Sequence, residues 1–86
     1  MTYAFSAIVT LEENGYSARF PDIDGCFTSG ETMSEVVDNA EDALCLMLAN
    51  MEECGDEIPE PSDIDDIKTE KNDMLVLISC NTDKYR

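Results

Sequence analysis

Residues 32–55, TMSEVVDNAEDALCLMLANMEECG, decide the fold of this 86-residue chain. Their apolar side chains recur at the i, i+3, i+4, i+7 spacing of one helix face. The Thr32 hydroxyl can cap the N-terminus, with Glu35 three residues later as in a capping box, and Gly55 is a natural stop. The sequence therefore predicts a helix of about five to six turns, from near Met33 to near Glu53. Its predicted buried face comprises Met33, Val36, Val37, Ala40, Ala43, Leu44, Met47, Leu48, Met51 and Cys54.

Segments with strand character precede this helix. Residues 3–11 place apolar side chains at every second position, which is the period of a strand. Asn14 and Gly15 form the strongest short hairpin signal, and residues 16–20 read as the return strand. Residues 26–28 follow as a short third strand. The first part of the chain therefore predicts three antiparallel strands before the helix.

A last strand follows the helix at residues 73–80. Because residues 74–78 are apolar at every position, we expect this strand to be covered on both sides or to lie inside the sheet. The order β-β-β-α-β predicts the α+β class, with one long helix packed on one face of a small antiparallel sheet. A chain of this length makes one domain, spanning residues 1–86.

Charge is strongly segregated along the chain. The formal net charge is −15, and between Phe20 and Ile67 there are fifteen acidic side chains and no Lys or Arg. Such a surface repels itself and attracts a basic partner. Gripping nucleic acid or an anionic membrane requires Lys and Arg, of which the chain has only five, so this segment is expected to bind neither.

The polar side of the predicted helix carries much of this charge. Its acidic residues are neighbours of like sign, such as Asp38 with Asp42, and each such pair costs a few tenths of a kcal/mol. A solvated face normally mixes both signs, so two interpretations stay open: simple solvation, or attraction of a basic partner. The candidate acidic surface for a partner comprises Glu35, Asp38, Glu41, Asp42, Glu52 and Glu53.

The cysteines predict a reducing compartment. Cys26, Cys45, Cys54 and Cys80 show no C-x-x-C spacing, and the chain has no His, so a zinc site would need all four from separate places. We expect reduced, mostly buried thiols, with Cys45 on the polar side of the helix, where exposure is an open alternative. The N-terminus lacks signal-peptide character, and no stretch approaches the ~20 apolar residues of a membrane span, so we predict a cytoplasmic protein.

The segment DIDG at residues 22–25 is similar to part of a calcium-binding loop. An EF-hand loop needs Gly at its sixth position and Glu at its twelfth, whereas here Gly25 is fourth and Met33 is twelfth. We therefore predict a tight turn, in which Asp22 bonds its own backbone and Gly25 supplies a positive φ. No metal site is predicted. The absence of His, and of carboxylates inside the first and last strands, predicts that the chain is not an enzyme and has no cofactor.

A set of short motifs resembles the HicB antitoxin family. The matching motifs are Phe20-Pro21-Asp22, Gly25-Cys26, Thr28 with Gly30, the helix start at Thr32 with Glu35, Asn39-Ala40, Ala43-Leu44 and the exit Ile58-Pro59-Glu60-Pro61. The chain departs from the family pattern at Val36 and Val37, where Glu-Ala is usual. The order and spacing of these motifs extend over nearly the whole chain, so the resemblance is to a complete domain.

The resemblance implies a partial RNase H-like fold and a function. The expected partner is a HicA toxin, a small basic ribonuclease, whose catalytic face the domain would block. Complete family members usually add a C-terminal DNA-binding segment, and because this chain ends at Arg86 we expect that segment to be absent. The motif residues with an expected structural or partner-facing role are Phe20, Pro21, Asp22, Gly25, Cys26, Thr28, Gly30 and Thr32.

Two rival functions stay open beside inhibition of a toxin. The chain could be an acidic oligomerisation or structural module, in which case the charge only keeps it soluble. This alternative is compatible with inhibition, since the family commonly forms dimers or larger assemblies, and we expect a homodimer or higher oligomer. A ligand- or metal-binding enzyme is the third possibility, and the missing His weighs against it.

Overall fold

The computed structural model of the chain describes residues 2–85. The strands are β1 (Thr2–Glu12), β2 (Gly15–Arg19), β3 (Phe27–Gly30) and β4 (Asp73–Asn81), and the helix is α1 (Met33–Cys54). Short 3-10 turns form at Ile64–Asp66 and Thr82–Tyr85. The strands form one antiparallel sheet in the order β3-β2-β1-β4. The predicted α+β class, with one long helix on a small antiparallel sheet, is confirmed.

The core lies between α1 and one face of the sheet. Residues in direct register share a face, and Phe5 of β1 lies opposite Ile78, while Val9 lies opposite Ala18. Burial of a large apolar side chain contributes about 1.5–3 kcal/mol, so this single interface supplies most of the stability of a small domain. The helical side of the core comprises Val36, Ala40, Leu44, Cys45 and Leu48.

Both ends of α1 are capped as the sequence predicts. Thr32 is extended at the N-cap, and its hydroxyl accepts a hydrogen bond from the Glu35 amide at 3.1 Å. Gly55 ends the helix with φ 76°, and its N–H and that of Asp56 donate to carbonyls of the last turn. The predicted apolar face is buried or half-buried at every position except Cys54, which is exposed because it lies at the last residue of the helix.

The edge strand β3 is held against the start of α1 by a close approach at Gly30. A Cβ atom on Gly30 would lie 2.6 Å from the Val36 nitrogen and 2.9 Å from its Cα. The side-chain amide of Asn39 donates to the Ser29 carbonyl at 2.9 Å, which adds a polar link between the same elements. Glycine at position 30 is therefore required by contact, and its φ is not positive.

The prediction for β4 is wrong. β4 forms an edge of the sheet and pairs only with β1, and Leu77 is 66% exposed. Its alternate side chains Leu75 and Leu77 lie opposite Ile8 and Ser6 on the sheet face that α1 does not cover. The physical reason is that α1 covers only one face of the sheet. Side chains of β4 that point to the other face, such as Leu77, can therefore stay exposed although they are apolar.

The prediction of four reduced thiols is wrong for Cys45 and Cys80, which form a disulfide with a Cα–Cα distance of 5.4 Å. Both residues are buried, so the expectation that Cys45 lies on the polar side of α1 is also wrong. The end of β4 and the turn Thr82–Tyr85 pack on that side of α1 and widen its buried sector beyond the apolar stripe. Cys26 and Cys54 are free thiols.

Gly30→Ala is expected to lower the free energy of unfolding by roughly 1–3 kcal/mol, because the new methyl group must displace the backbone of α1. Urea unfolding with an unchanged m-value measures this loss.

Gly25 is the matched control, since its φ is 77° and nothing lies within 4 Å of an added Cβ. Asn adopts a left-handed backbone more readily than Ala, so Gly25→Asn should be more stable than Gly25→Ala, whereas Gly30→Asn should not improve on Gly30→Ala. A fully stable Gly30→Ala protein would contradict this packing.

Reduction of the Cys45–Cys80 disulfide, which spans a sequence separation of 35, is expected to destabilise the oxidised protein. The loop-closure estimate for this length is roughly 3–4 kcal/mol. Chemical unfolding with and without a reductant measures the loss. The double variant Cys45→Ala/Cys80→Ala should not respond to the reductant, while Cys54→Ala, which changes an exposed free thiol, should respond as the parent does. Detection of all four thiols in the denatured, unreduced protein would show that the bond does not form.

Candidate functional site

The bend between β2 and β3 is a compact turn with a buried underside. The Phe20 N–H donates to the Cys26 carbonyl at 3.0 Å, and the Ile23 N–H donates to the Phe20 carbonyl at 3.1 Å. The side chains of Phe20, Ile23 and Cys26 all enter the core. Burial raises the pKa of the Cys26 thiol, so it stays protonated. Gly25 has φ 77°, which confirms the positive φ predicted from the sequence.

Asp22 does not bond its own backbone as predicted. Its carboxylate accepts hydrogen bonds from the Ser62 N–H at 3.0 Å and from the Ser62 hydroxyl at 2.5 Å. The bend is thereby joined to the segment that follows α1, where Ile58 packs against the core. Sequence reasoning missed this contact because the partners are 40 residues apart.

The structure gives the other predicted motif residues these positions. Pro21 and Gly25 are exposed on the bend, and Thr28 is half-buried in β3 on the same face as Ala18. Gly30 approaches α1 and Thr32 caps it, as described above. These positions account for the motif by folding alone, and contact of its exposed residues with a partner stays a prediction.

The predicted acidic surface of α1 is exposed except at one residue. Glu35, Asp38, Glu41, Asp42 and Glu53 are exposed, whereas Glu52 is half-buried. The Glu52 carboxylate accepts a hydrogen bond from the Tyr3 hydroxyl at 2.6 Å, which ties the last turn of α1 to the start of β1. The last turn carries no basic residue to complement the helix dipole. Among the exposed acids, Glu35 lies in the first turn, where the dipole favours negative charge, whereas Glu53 lies in the last turn, where it does not.

A second acidic concavity lies at the opposite end of the sheet, beside the β1–β2 hairpin. It encloses about 490 Å³. Four carboxylates line it, two from the hairpin and two from the entry to α1: Glu12, Glu13, Glu31 and Glu35. Exposed acids therefore lie near both ends of α1, with Glu31 and Glu35 at its start and Glu53 at its end.

An apolar groove that sequence analysis did not identify lies between α1 and the start of β3. Phe27 of β3 is 74% exposed and Leu46 of α1 is 66% exposed, and both line a groove of about 380 Å³. The remaining lining residues are Gly25, Cys26, Ala43, Met47 and Asn50. The signal was present in the sequence, because Leu46 is a large apolar residue off the predicted buried stripe of α1.

The described residues do not suggest metal chemistry or a membrane span. Within residues 2–85, no group of three or more His, Cys, Asp or Glu side chains is arranged to hold a metal ion. No helix formed by this part of the chain is long and apolar enough to cross a bilayer. What the surface offers is an apolar groove with carboxylates on both sides.

Asp22→Ala is expected to loosen the segment after α1. Hydrogen bonds to a charged acceptor are worth about 1.5–3 kcal/mol, so the Ser62 amide should exchange at least roughly tenfold faster, while amides of β1 change little. Hydrogen exchange followed by NMR measures both. Asp24→Ala removes the same charge from an exposed neighbour and should leave the Ser62 amide unaffected. Equal exchange in the two variants would rule out the tether.

The described residues form a small α+β domain whose surface combines exposed acidic side chains with an apolar groove. Comparison with known proteins agrees: residues 5–84 match the family described as HicB_like antitoxin of bacterial toxin-antitoxin system. The chain belongs to this HicB-like antitoxin family.

The chain is also similar in sequence to a curated phage protein. A 14.9 kDa protein encoded in the rep-hol intergenic region of Haemophilus phage HP1 is 33% identical over 67 residues, which are 76% of this chain and 50% of that protein. This chain therefore spans half the length of the phage protein it matches.

Solved structures share the fold. A toxin-antitoxin complex from Streptococcus pneumoniae contains a chain with a TM-score of 0.89 at 20% identity, covering 99% of this chain and 73% of that one. At this identity the likeness shows the fold alone. A chain of the HicA3 and HicB3 toxin-antitoxin complex has a TM-score of 0.72 at 27% identity, covering 92% of this chain and 99% of that one.

Proposed function

We propose that this chain is an antitoxin that binds a small basic ribonuclease toxin of the HicA type and inhibits it by covering its catalytic face. The observation that carries the proposal is the uninterrupted negative charge from Phe20 to Ile67, displayed on a HicB-like fold. The complex of HicA3 with HicB3, which contains a similar chain, supports the same class of partner.

The negative charge mainly raises the rate at which the two proteins associate. A single-sign surface raises the association rate of an oppositely charged protein by one to three orders of magnitude, roughly, and the effect falls as salt rises. An RNA-cleaving protein must present cations to phosphate, so its working surface is complementary to this domain. Covering that surface excludes RNA by sterics and by charge together, and requires no catalytic group in the antitoxin.

A second candidate function is assembly with further copies of the chain. The open face of the sheet carries the exposed Leu77 on the edge strand β4, and such an edge with apolar side chains is a common site of self-association. This function is compatible with inhibition, because it uses the sheet face opposite α1. Sedimentation of the isolated chain distinguishes a monomer from a dimer or larger assembly.

Inhibition is tested with the small basic protein encoded beside this chain and an RNA substrate. The chain in excess should abolish cleavage at low salt, and the dissociation constant should rise with salt. Asp38→Lys/Glu41→Lys reverses two exposed acids on α1 and should slow association by roughly tenfold. Glu12→Lys/Glu13→Lys makes the same change in net charge at the β1–β2 turn and should slow it less.

Two results would oppose the proposal. Cleavage that continues at low salt with the chain in excess would exclude inhibition. An equal effect of both charge reversals would assign the attraction to net charge and remove the α1 face from the proposal.

A further inference from the structure

Folding does not explain the exposure of Phe27 and Leu46. Phe27 is 74% exposed and Leu46 is 66% exposed, whereas every other large apolar residue of α1 is buried or half-buried. Phe27 lies at the start of the edge strand β3, and its register with Arg19 places it on the sheet face away from α1, so it borders the groove from the edge of the sheet. Exposed apolar groups that lie together in a groove, surrounded by polar residues, are typical of protein-binding sites.

The groove is bordered by acids on both sides. Along α1, Asp42 lies four residues before Leu46, and Glu53 lies seven residues after it, so the helical repeat places all three on one ridge. Beyond Met47 a neighbouring hollow of about 370 Å³ shares that residue and is lined by Asp22, Asp24 and Glu57. An apolar centre with a charged border is the arrangement of an interface core within its rim.

The charge of this border selects the occupant. A second copy of this chain would bring the same acids against each other, which is unfavourable at a net charge of −15. Nucleic acid is repelled for the same reason. A cationic protein surface with one protruding apolar side chain fits this site. The apolar side chain would fill the groove, and the cations would pair with the acids that border it.

We propose that the groove between Phe27 and Leu46 is the anchoring pocket for an aliphatic or aromatic side chain of the basic toxin, with Lys or Arg of the toxin against the bordering acids. This inference rests on the proposed function and specifies its contact surface. The acids accelerate encounter, whereas burial of Phe27 and Leu46 slows dissociation. The two contributions are separable because burial of apolar surface responds far less to salt than charge does.

The test measures binding of the neighbouring basic protein to Phe27→Ala, Leu46→Ala and the double variant. Truncation of a central apolar anchor is expected to raise the dissociation constant by roughly 10- to 100-fold, mostly through the dissociation rate. The salt dependence of binding should stay that of the parent, in contrast to the charge-reversal variants. Since both side chains are exposed, the fold should survive, which circular dichroism and thermal unfolding verify.

Leu77→Ala is the matched control, because Leu77 is also 66% exposed but lies on β4, at the edge of the sheet opposite to β3 and the groove. It should bind the toxin as the parent does. If the parent binds and the groove variants bind equally well, the anchoring pocket is excluded while the proposed function stands. If Leu77→Ala weakens binding as much as Leu46→Ala, the apolar contact is not confined to the groove beside β3 and the anchoring pocket is excluded. If the parent itself does not bind, the proposed function fails.

Discussion

The structure depends on one contact, the packing of α1 against a single face of the sheet. Val36, Ala40, Leu44 and Leu48 are fully buried on the helix, and β1, which lies inside the sheet, presents Phe5 to them. A domain of this size has no second layer, so every other property follows from having one covered face. The helix exposes its opposite side, where the acids lie, and the far face of the sheet buries Ser6 and Ile8 of β1 but leaves Leu77 of β4 exposed.

The same constraint explains how the ends of the chain's elements are secured. A small core holds the edge strands β3 and β4 only weakly, and a separate contact joins each of them to α1. Asn39 holds β3 at one edge, the disulfide of Cys45 holds the end of β4 at the other, and Asp22 holds the segment after α1 through Ser62. The three links span 10, 35 and 40 positions of the sequence, and they help to hold the acidic face and the apolar groove in their relative positions.

The sequence predicted what local rules determine and missed what tertiary neighbours determine. The helix bounds followed from Thr32 and Gly55, because caps act within one turn. The edge position of β4 did not follow, since an apolar run does not tell whether a strand is central or half open. Cys45 was misplaced because the helical period shows only the main stripe, and the turn Thr82–Tyr85 that covers its other side lies 37 or more residues further along. The acids of α1 are exposed apart from Glu52, which is half-buried and accepts a hydrogen bond from Tyr3, and their contact with a partner stays a prediction.

Charge and apolar surface have different roles in the proposed complex. Negative charge spread over α1 and its flanking loops lacks direction, so by itself it attracts any cationic protein and any polycation. Specificity requires a contact that depends on shape, and the apolar pair Phe27 and Leu46 lies where the helix, β3 and the β2–β3 bend meet. The family motif from Phe20 to Cys26 shapes that junction by placing its own apolar side chains in the core. In the proposed complex the bend therefore acts only indirectly, because it shapes the junction at which the groove lies.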